Sequence, residues 1–171
     1  MESKVPQPNL LSLLNDATAR EIQVSMQYML QHALYSGGGP AIESNLITST
    51  AGKFIASHSP FFFPGDTLKK IAIAEMRHAE AIAERISYLG GESLTQANPF
   101  KVGKTVQEIL ELDKMEEKEA IRLYRQIIGV ARDAGDDVTE GLFNRILADE
   151  EKHHRIFSDF LSSSSVHSSH H

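Results

Sequence analysis

Four long segments of the sequence have the periodicity of amphipathic helices, and each carries an acidic residue inside its apolar stripe. The segments run from about Leu10 to Tyr35, Thr67 to Leu89, Thr105 to Asp133 and Asp137 to Leu161. At about 100° per residue, their apolar side chains cluster around Glu21, Glu75, Glu117 and Glu150 in chain order. A buried carboxylate costs much free energy unless it is paired, so the fold must bring these groups to a counter-charge.

Start and stop signals bound each helical segment. Asn9 opens the first, Pro64, Gly65 and Asp66 lead into the second, Thr105 and Glu108 have capping-box spacing at the third, and Asp137 opens the fourth with Glu140 three residues later. Glycines follow the ends of the first three, at Gly37, Gly90 and Gly135. The sequence therefore predicts an all-α protein of four long helices.

The connections between the segments differ greatly in length. The turn at Gly135 is short, which makes the third and fourth helices antiparallel neighbours. The link from Gly90 to Lys104 is long enough, at roughly 45 to 50 Å when extended, to cross a whole bundle. Residues 36–65 form an insertion between the first and second helices that contains the run SPFFFPGD. We interpret the insertion as packing against the bundle, with a lid or a partner surface as the alternatives.

Composition limits the class of protein and the kinds of site. A length of 171 residues predicts one domain, which we place at residues 1–161, followed by a disordered Ser/His tail at 162–171. The absence of Cys excludes thiolate metal sites and disulfides, so Glu, Asp and His must hold any metal. A net charge of -6 argues against a nucleic-acid partner. No apolar run is long enough to span a membrane, and the N-terminus lacks a secretion signal, so a cytoplasmic location is expected.

Two histidines complete the pattern of buried carboxylates. His78 and His153 lie one helical turn after Glu75 and Glu150, so each pair forms a Glu-x-x-His motif on one face.

An internal repeat selects the acidic residue of the third helix. Glu116, Glu117 and Glu119 are the candidates, and only Glu117 lies in the centre of the apolar stripe. Glu117 is followed by Tyr124 as Glu21 is followed by Tyr28, seven residues later in both cases. The two halves of the chain therefore carry the same pattern, a Glu-Tyr helix and then a Glu-x-x-His helix.

Two divalent cations would cancel the four negative charges of these glutamates. Without such cations the carboxyl groups would have to take up protons. Carboxylate and imidazole ligands without thiolate suit iron or manganese better than a structural zinc site. The six residues Glu21, Glu75, His78, Glu117, Glu150 and His153 are therefore the predicted ligands of a two-metal site.

In the stretches EIQVSMQY, IAEMRHAEAIAERI, LDKMEEKEAIRLY and RILADEEKHH, the sequence resembles the bacterioferritin and rubrerythrin branch of the ferritin-like superfamily. The resemblance implies a ferritin-like four-helix bundle with a di-iron site. By that resemblance Glu75 and Glu150 bridge the metals, Glu21 and Glu117 are terminal ligands, and each histidine binds one metal.

The resemblance also implies an activity. The chain would be a ferroxidase-type oxidoreductase that oxidises ferrous iron with O2 or H2O2, for iron storage or detoxification. Tyr28 and Tyr124 would hydrogen-bond to the ligands or donate electrons, with plain core aromatics as the alternative.

Alternatives to this function stay open at the level of sequence. The same site would serve a rubrerythrin-like peroxide reductase or a di-manganese catalase, and a metal-free helical interaction protein is the third interpretation. Met76 occupies the place where bacterioferritins present a haem-ligating Met, although we prefer a simple Met-lined helix contact. Apolar residues on a second flank of the first helix predict a homo-oligomer, at least a dimer.

Overall fold

A computed structural model describes residues 8–36 and 65–166, and within these ranges every regular element is an α-helix. The helices are α1 (Pro8–Ser36), α2 (Gly65–Tyr88), α3 (Val106–Ala134) and α4 (Asp137–Val166). The prediction of an all-α four-helix bundle is confirmed. The predicted insertion lies almost entirely outside the described residues, as do the last five residues of the predicted tail.

The helices form two antiparallel pairs, α1 with α2 and α3 with α4. The Ser25 hydroxyl donates to the Ala72 carbonyl (2.9 Å), which places the C-terminal half of α1 beside the N-terminal half of α2. Gly135 ends α3 in the left-handed region (φ 67°), and α4 begins two residues later, as the short turn predicted. The pairs meet because α1 also packs against α3, and the Arg85 side chain of α2 reaches Thr139 of α4 (2.8 Å).

The link between α2 and α3 runs along the side of α1. Three hydrogen bonds mark its course: Asn15 Nδ2 to the Glu92 carbonyl (3.1 Å), the Asn98 amide to the Ala19 carbonyl (3.4 Å) and Gln31 Nε2 to the Val102 carbonyl (3.1 Å). The positions from 15 to 31 span about 24 Å along a helix. The predicted long crossover is therefore confirmed, and it makes α2 and α3 run in the same direction.

Some helix ends differ from those predicted. The first helix begins at Pro8, because proline is well tolerated at the first position of a helix. Asn9, the predicted start, therefore lies inside the first turn. The predicted cap of α3 is present, since the Thr105 hydroxyl accepts from the Glu108 amide (3.1 Å). The fourth helix is capped by Asp136, whose carboxylate accepts from the Thr139 amide (3.0 Å), and not by Asp137.

The C-terminal helix is longer than the sequence pattern indicates. It continues to Val166, five residues past the predicted end at Leu161. Serine hydroxyls donate back to carbonyls four residues earlier, from Ser158 to His154 (2.7 Å) and from Ser162 to Ser158 (2.9 Å). These bonds satisfy the serine hydroxyls within the helix, so the first part of the Ser-rich tail is helical without leaving these groups unpartnered.

The interior contains two apolar clusters, one toward each end of the bundle. One cluster is centred on Leu14, Ile86, Ile127 and Phe143, and the other on Val24, Ile71, Leu110 and Phe157. Each cluster receives side chains from all four helices. The layer between the clusters is polar, and it holds the predicted site. No helix among the described residues is long and apolar enough to cross a membrane.

Candidate metal centre

The six predicted ligands lie together in the polar layer at the middle of the bundle. All of them are buried, with exposed fractions of 0–1% for the four glutamates, 8% for His78 and 6% for His153. Each helix contributes from its central turns because its apolar residues toward both ends pack into the two clusters.

The ligand atoms form two groups that share two glutamates. One group contains Glu21, Glu75, His78 and Glu150, and the other contains Glu75, Glu117, Glu150 and His153. Within each group one ligand atom from every residue lies within 4.8 Å of the others. Glu75 and Glu150 belong to both groups, which is the arrangement that two bridging carboxylates require.

His78 faces the first group through Nδ1. This atom lies 2.9 Å from Glu75 Oε2, 3.1 Å from Glu150 Oε1 and 3.7 Å from Glu21 Oε2. Its other ring nitrogen, Nε2, lies 3.3 Å from Asp149 Oδ2. The ring is therefore held between the interior carboxylates and the surface of the bundle.

His153 faces the second group in the same way. Its Nδ1 lies 2.8 Å from Glu75 Oε1 and 3.9 Å from Glu150 Oε2. The 2.8 Å contact is close but not aligned as a hydrogen bond, since both atoms lack a hydrogen-bond partner among the described residues. The two imidazole rings stack with centroids 6.5 Å apart.

Each tyrosine of the repeat donates a hydrogen bond to the glutamate of the opposite helix. Tyr28 of α1 donates to Glu117 of α3, and Tyr124 of α3 donates to Glu21 of α1. Both rings are fully buried and pack on phenylalanines, Tyr28 on Phe157 and Tyr124 on Phe143. Each hydroxyl thus holds one oxygen of a glutamate that is not shared between the two ligand groups, namely Glu117 or Glu21.

One oxygen of every glutamate in the site has no partner. Among the described residues, the buried atoms Glu21 Oε2, Glu75 Oε1, Glu117 Oε2 and Glu150 Oε1 accept no hydrogen bond. Unpartnered buried oxygens are rare in folded proteins, and each needs a compensating group. A pair of divalent cations fits this donor set, because carboxylate oxygens and imidazole nitrogens are ligands that iron and manganese accept.

The electrostatics of the carboxylates without metal agree with this fit. Burial and the charges of neighbouring carboxylates raise the pKa of Glu75 and Glu117 well above the ordinary range and that of Glu150 to about 8. Burial would also raise the pKa of Glu21, but the hydrogen bond and charge of His78 lower it overall. The layer therefore retains protons near neutral pH, and cations would replace them.

The two histidines differ in charge state. Burial alone would lower the pKa of His78, but its contacts with Glu150, Glu21 and Glu75 raise it far above its ordinary value. Burial and the charge of His78 lower the pKa of His153. One imidazolium thus offsets part of the negative charge.

Comparison with known proteins identifies the family. The family model described as Ferritin-like domain matches residues 65–164. A bacterioferritin from Desulfovibrio desulfuricans is 39% identical over 145 residues, which are 84% of this chain and 69% of that protein. A bacterioferritin from Brucella melitensis is 30% identical over 148 residues, which are 86% of this chain and 79% of that protein. The chain belongs to the ferritin-like superfamily, in its bacterioferritin branch.

A solved structure shows the same fold. Rhodobacter capsulatus bacterioferritin, described with a metal-free dinuclear site and a haem iron, matches with a TM-score of 0.74 at 24% identity, covering 91% of this chain and 85% of that chain. At this identity the structural likeness bears on the fold alone. The predicted resemblance is confirmed by the family match and the sequence relatives.

Three other acidic residues near the ligands in the sequence, Glu116, Glu119 and Glu151, belong to neither ligand group of this bacterioferritin-like chain. Glu116 pairs with Arg20 (2.6 Å), and Glu119 forms an exposed pair with Arg122 (3.0 Å). Glu151, which forms a second Glu-x-x-His pair with His154, instead contacts Arg125 (2.9 Å).

Sequence reasoning missed three charged residues around the site of this bacterioferritin-branch protein. Arg20 is buried and also donates to the Glu116 carbonyl, while Asp113 is fully buried between two glutamines. Asp149 contacts His78 from the surface. The helical wheel offered a signal only for Asp113, which lies one turn before Glu117 on the same face.

Met76 lies apart from the carboxylate layer. Its side chain is 51% exposed, and that of Met26 on the neighbouring helix α1 is 45% exposed. Other apolar side chains of the two helices are also exposed: Met29, Leu30, Leu34 and Ile73. We call these six residues the α1–α2 apolar face.

Proposed function

We propose that this chain is a di-iron ferroxidase of the bacterioferritin type. The observation that carries the proposal is the pair of buried ligand groups that share Glu75 and Glu150. A metal-free structural role would not explain four buried carboxylates, each with an unpartnered oxygen. The bacterioferritin relatives support the same function.

The roles of the residues follow from their positions. Glu75 and Glu150 would bridge two iron ions, Glu21 and His78 would complete one position, and Glu117 and His153 would complete the other. The chain would bind two ferrous ions as substrate, and O2 or H2O2 would accept one electron from each, for storage or detoxification of iron.

The surrounding residues would prepare the site for this chemistry. Tyr28 and Tyr124 hold the outer glutamates in place by hydrogen bonds and are near enough to act as electron donors. The apolar clusters on both sides exclude water, which strengthens the interaction between cations and carboxylates.

Anaerobic titration of the full chain with ferrous iron tests the proposal. We expect two irons per chain, followed by ferric absorbance when O2 or H2O2 is added, and the faster oxidant identifies the preferred one. Glu75→Ala should lose both irons because Glu75 belongs to both groups, whereas the exposed control Glu119→Ala should keep them. A wild-type stoichiometry near zero would contradict the proposal and favour a metal-free interaction protein.

Turnover on H2O2 and metal analysis of protein from native cells separate the other reactions of this site. A peroxide reductase would turn over H2O2 repeatedly when a reductant is supplied. A di-manganese catalase would hold manganese when purified from its native cells and would need no reductant. Either result would replace the ferroxidase reaction and leave the ligand assignment intact.

The α1–α2 apolar face supports assembly of the chain. An exposed set of six large apolar side chains favours burial against a second copy, so we propose a homo-oligomer of at least two chains. A Met-lined contact is the simplest use of Met76, and haem ligation between two copies is the alternative, which the absorption spectrum of the purified protein distinguishes. We place the protein in the cytoplasm, with no nucleic-acid or membrane partner.

A further inference from the structure

The two halves of the polar layer repeat the same ligands but differ at their outer edge. Glu75 with His78 on α2 corresponds to Glu150 with His153 on α4. The residue before the glutamate is Ala74 in the first half and Asp149 in the second. One half therefore offers a carboxylate where the other offers a methyl group.

Asp149 reaches across from α4 to the histidine of α2. Its Oδ2 lies 3.3 Å from His78 Nε2, the ring nitrogen that faces away from the shared glutamates. The Asp149 side chain is 55% exposed, whereas the His78 side chain is 10% exposed. The contact thus closes the outer end of a buried ring.

This contact determines which nitrogen of His78 is available to a metal. When a metal ion takes the place of the Nδ1 proton, an imidazole that still donates its Nε2 hydrogen to a carboxylate binds the metal through Nδ1, and such a partner also fixes the ring orientation. His78 Nδ1 is the atom that faces Glu75 (2.9 Å) and Glu150 (3.1 Å). Asp149 therefore directs the ligand atom of His78 into the first group.

His153 lacks the corresponding support. Ala74 has no acceptor atom, and among the described residues His153 contacts carboxylates through Nδ1 and not through Nε2. Among the described residues, no carboxylate therefore holds the outer side of this ring as Asp149 holds that of His78.

We propose that Asp149 is a positioning residue for His78, and that it makes the His78-containing group bind its divalent ion more tightly than the His153-containing group. The inference rests on the proposed two-metal function and adds an order of filling to it. Partners of this kind typically change metal affinity by about 10- to 100-fold. The expected difference between the two positions is therefore about 10-fold or more.

Titration of the full chain with Co²⁺ in the absence of oxidant tests the order of filling. Crystals of the wild-type protein soaked with about one equivalent of Co²⁺ should show anomalous scattering mainly at the His78-containing group. In solution the titration should resolve two binding steps. Equal occupancy at the two positions would overturn the inference and leave the proposed function intact, whereas absence of any bound cobalt would end both.

Substitutions at the outer edge test the cause of the difference. Asp149→Ala should weaken binding at the His78-containing group by about 10-fold and leave the other position unchanged. Asp149→Asn keeps an acceptor oxygen and should retain most of the preference. If Asp149→Ala weakened both positions equally, Asp149 would act only as a surface charge, and the inference would be wrong.

Two further variants serve as gain-of-function and control. Ala74→Asp should tighten binding at the His153-containing group and reduce the gap between the two steps. Glu151→Ala removes a neighbouring carboxylate of the same helix that contacts Arg125, and it should leave the order of filling unchanged. A loss of order in Glu151→Ala equal to that in Asp149→Ala would contradict the specific role of Asp149.

Discussion

Glu75 has no exposed surface, and its nearest charged neighbours include other carboxylates. In the metal-free protein this group must either stay ionised among like charges or hold a proton, and both states cost stability. The carboxylate that would bind metal therefore lowers the stability of the metal-free protein, and such a conflict between function and stability is common in active sites.

Glu75→Gln should stabilise the metal-free protein and abolish metal binding. Burial raises the pKa of Glu75, so the folded state binds its proton more tightly than the unfolded chain, and stability falls as pH rises above about 4. Gln removes that penalty, and we expect Glu75→Gln to need more urea than the wild type to unfold at pH 8. Urea unfolding with a chelator present measures the gain. Glu119→Gln, at the surface, should change neither property, and a less stable Glu75→Gln would refute the electrostatic explanation.

Asp113 is a second buried acid, outside the metal site. Gln27 and Gln31 both donate to its Oδ1 (2.9 Å each), whereas Asp113 Oδ2 and Gln31 Oε1 have no partner among the described residues. Burial raises the pKa of Asp113 to about 7, with the charge of Glu116 adding to the shift.

Asp113→Asn should remove a pH dependence of stability. Between the unfolded pKa of about 4 and the folded pKa of about 7, the folded wild type holds the extra proton, so its stability falls as pH rises through this window. Asn keeps an acceptor for both glutamines and adds a donor for Gln31 Oε1. Its advantage over wild type should grow from pH 4 to pH 7 by about 1–4 kcal/mol in urea unfolding. The exposed control Asp159→Asn should show no such growth, and a constant difference for Asp113→Asn would disprove the assignment.

Two glycines illustrate how position within an element decides the effect of a methyl group. Gly103 lies in the crossover with φ +81°, and a Cβ there would meet the backbone nitrogen of Ile109 at 3.0 Å. Gly129 lies inside α3, and a Cβ there would meet nothing within 4 Å.

Alanine should therefore have opposite effects at these two positions. Gly103→Ala should destabilise the protein by about 1–3 kcal/mol through left-handed strain and overlap with backbone. Gly129→Ala should stabilise it by about 0.5–1 kcal/mol, because alanine loses less conformational entropy in a helix. Thermal unfolding of both variants measures the signs, and equal signs would contradict the account of the crossover.

At the level of elements, the sequence predicted most of the fold. Apolar periodicity located all four helices, and the lengths of the links predicted the short turn at Gly135 and the long crossover. The predicted end of α4 at Leu161 was wrong because serine-rich composition is typical of a disordered tail, whereas the helix continues to Val166 with its serine hydroxyls bonded to backbone carbonyls. The start of α4 was predicted at Asp137, one residue after the true cap at Asp136, because positions 136 and 137 are both Asp.

The part of the site that could be predicted from the sequence is the part that depends on one helix at a time. The periodicity of apolar residues shows which face of a helix is buried, and it therefore predicted which carboxylates point inward, such as that of Glu21. Contacts between helices depend on height and rotation, which one sequence does not contain. For that reason Arg20 beside Glu116 and Asp149 beside His78 were missed.

At the scale of the whole molecule, the α1–α2 apolar face predicts how the chain assembles. The double substitution Met26→Glu with Ile73→Glu should lower the mass measured by light scattering, because it places charges on both sides of the contact. Met115→Glu, at an exposed position on α3 (52%, against 45% for Met26 and 40% for Ile73), is the control and should keep the wild-type mass. An unchanged mass for the double variant would show that another surface joins the chains.

The position of the polar layer between two apolar clusters also affects how the bundle opens. Without ions, thermal fluctuations should separate the helices more readily at the polar layer than at the two apolar clusters. Bound cations should suppress that separation. Amide hydrogen exchange should therefore slow most around Glu75 and Glu150 when metal is added. A cell starved of iron would then hold a chain that proteases cut sooner, so the supply of the metal would also set the lifetime of the protein.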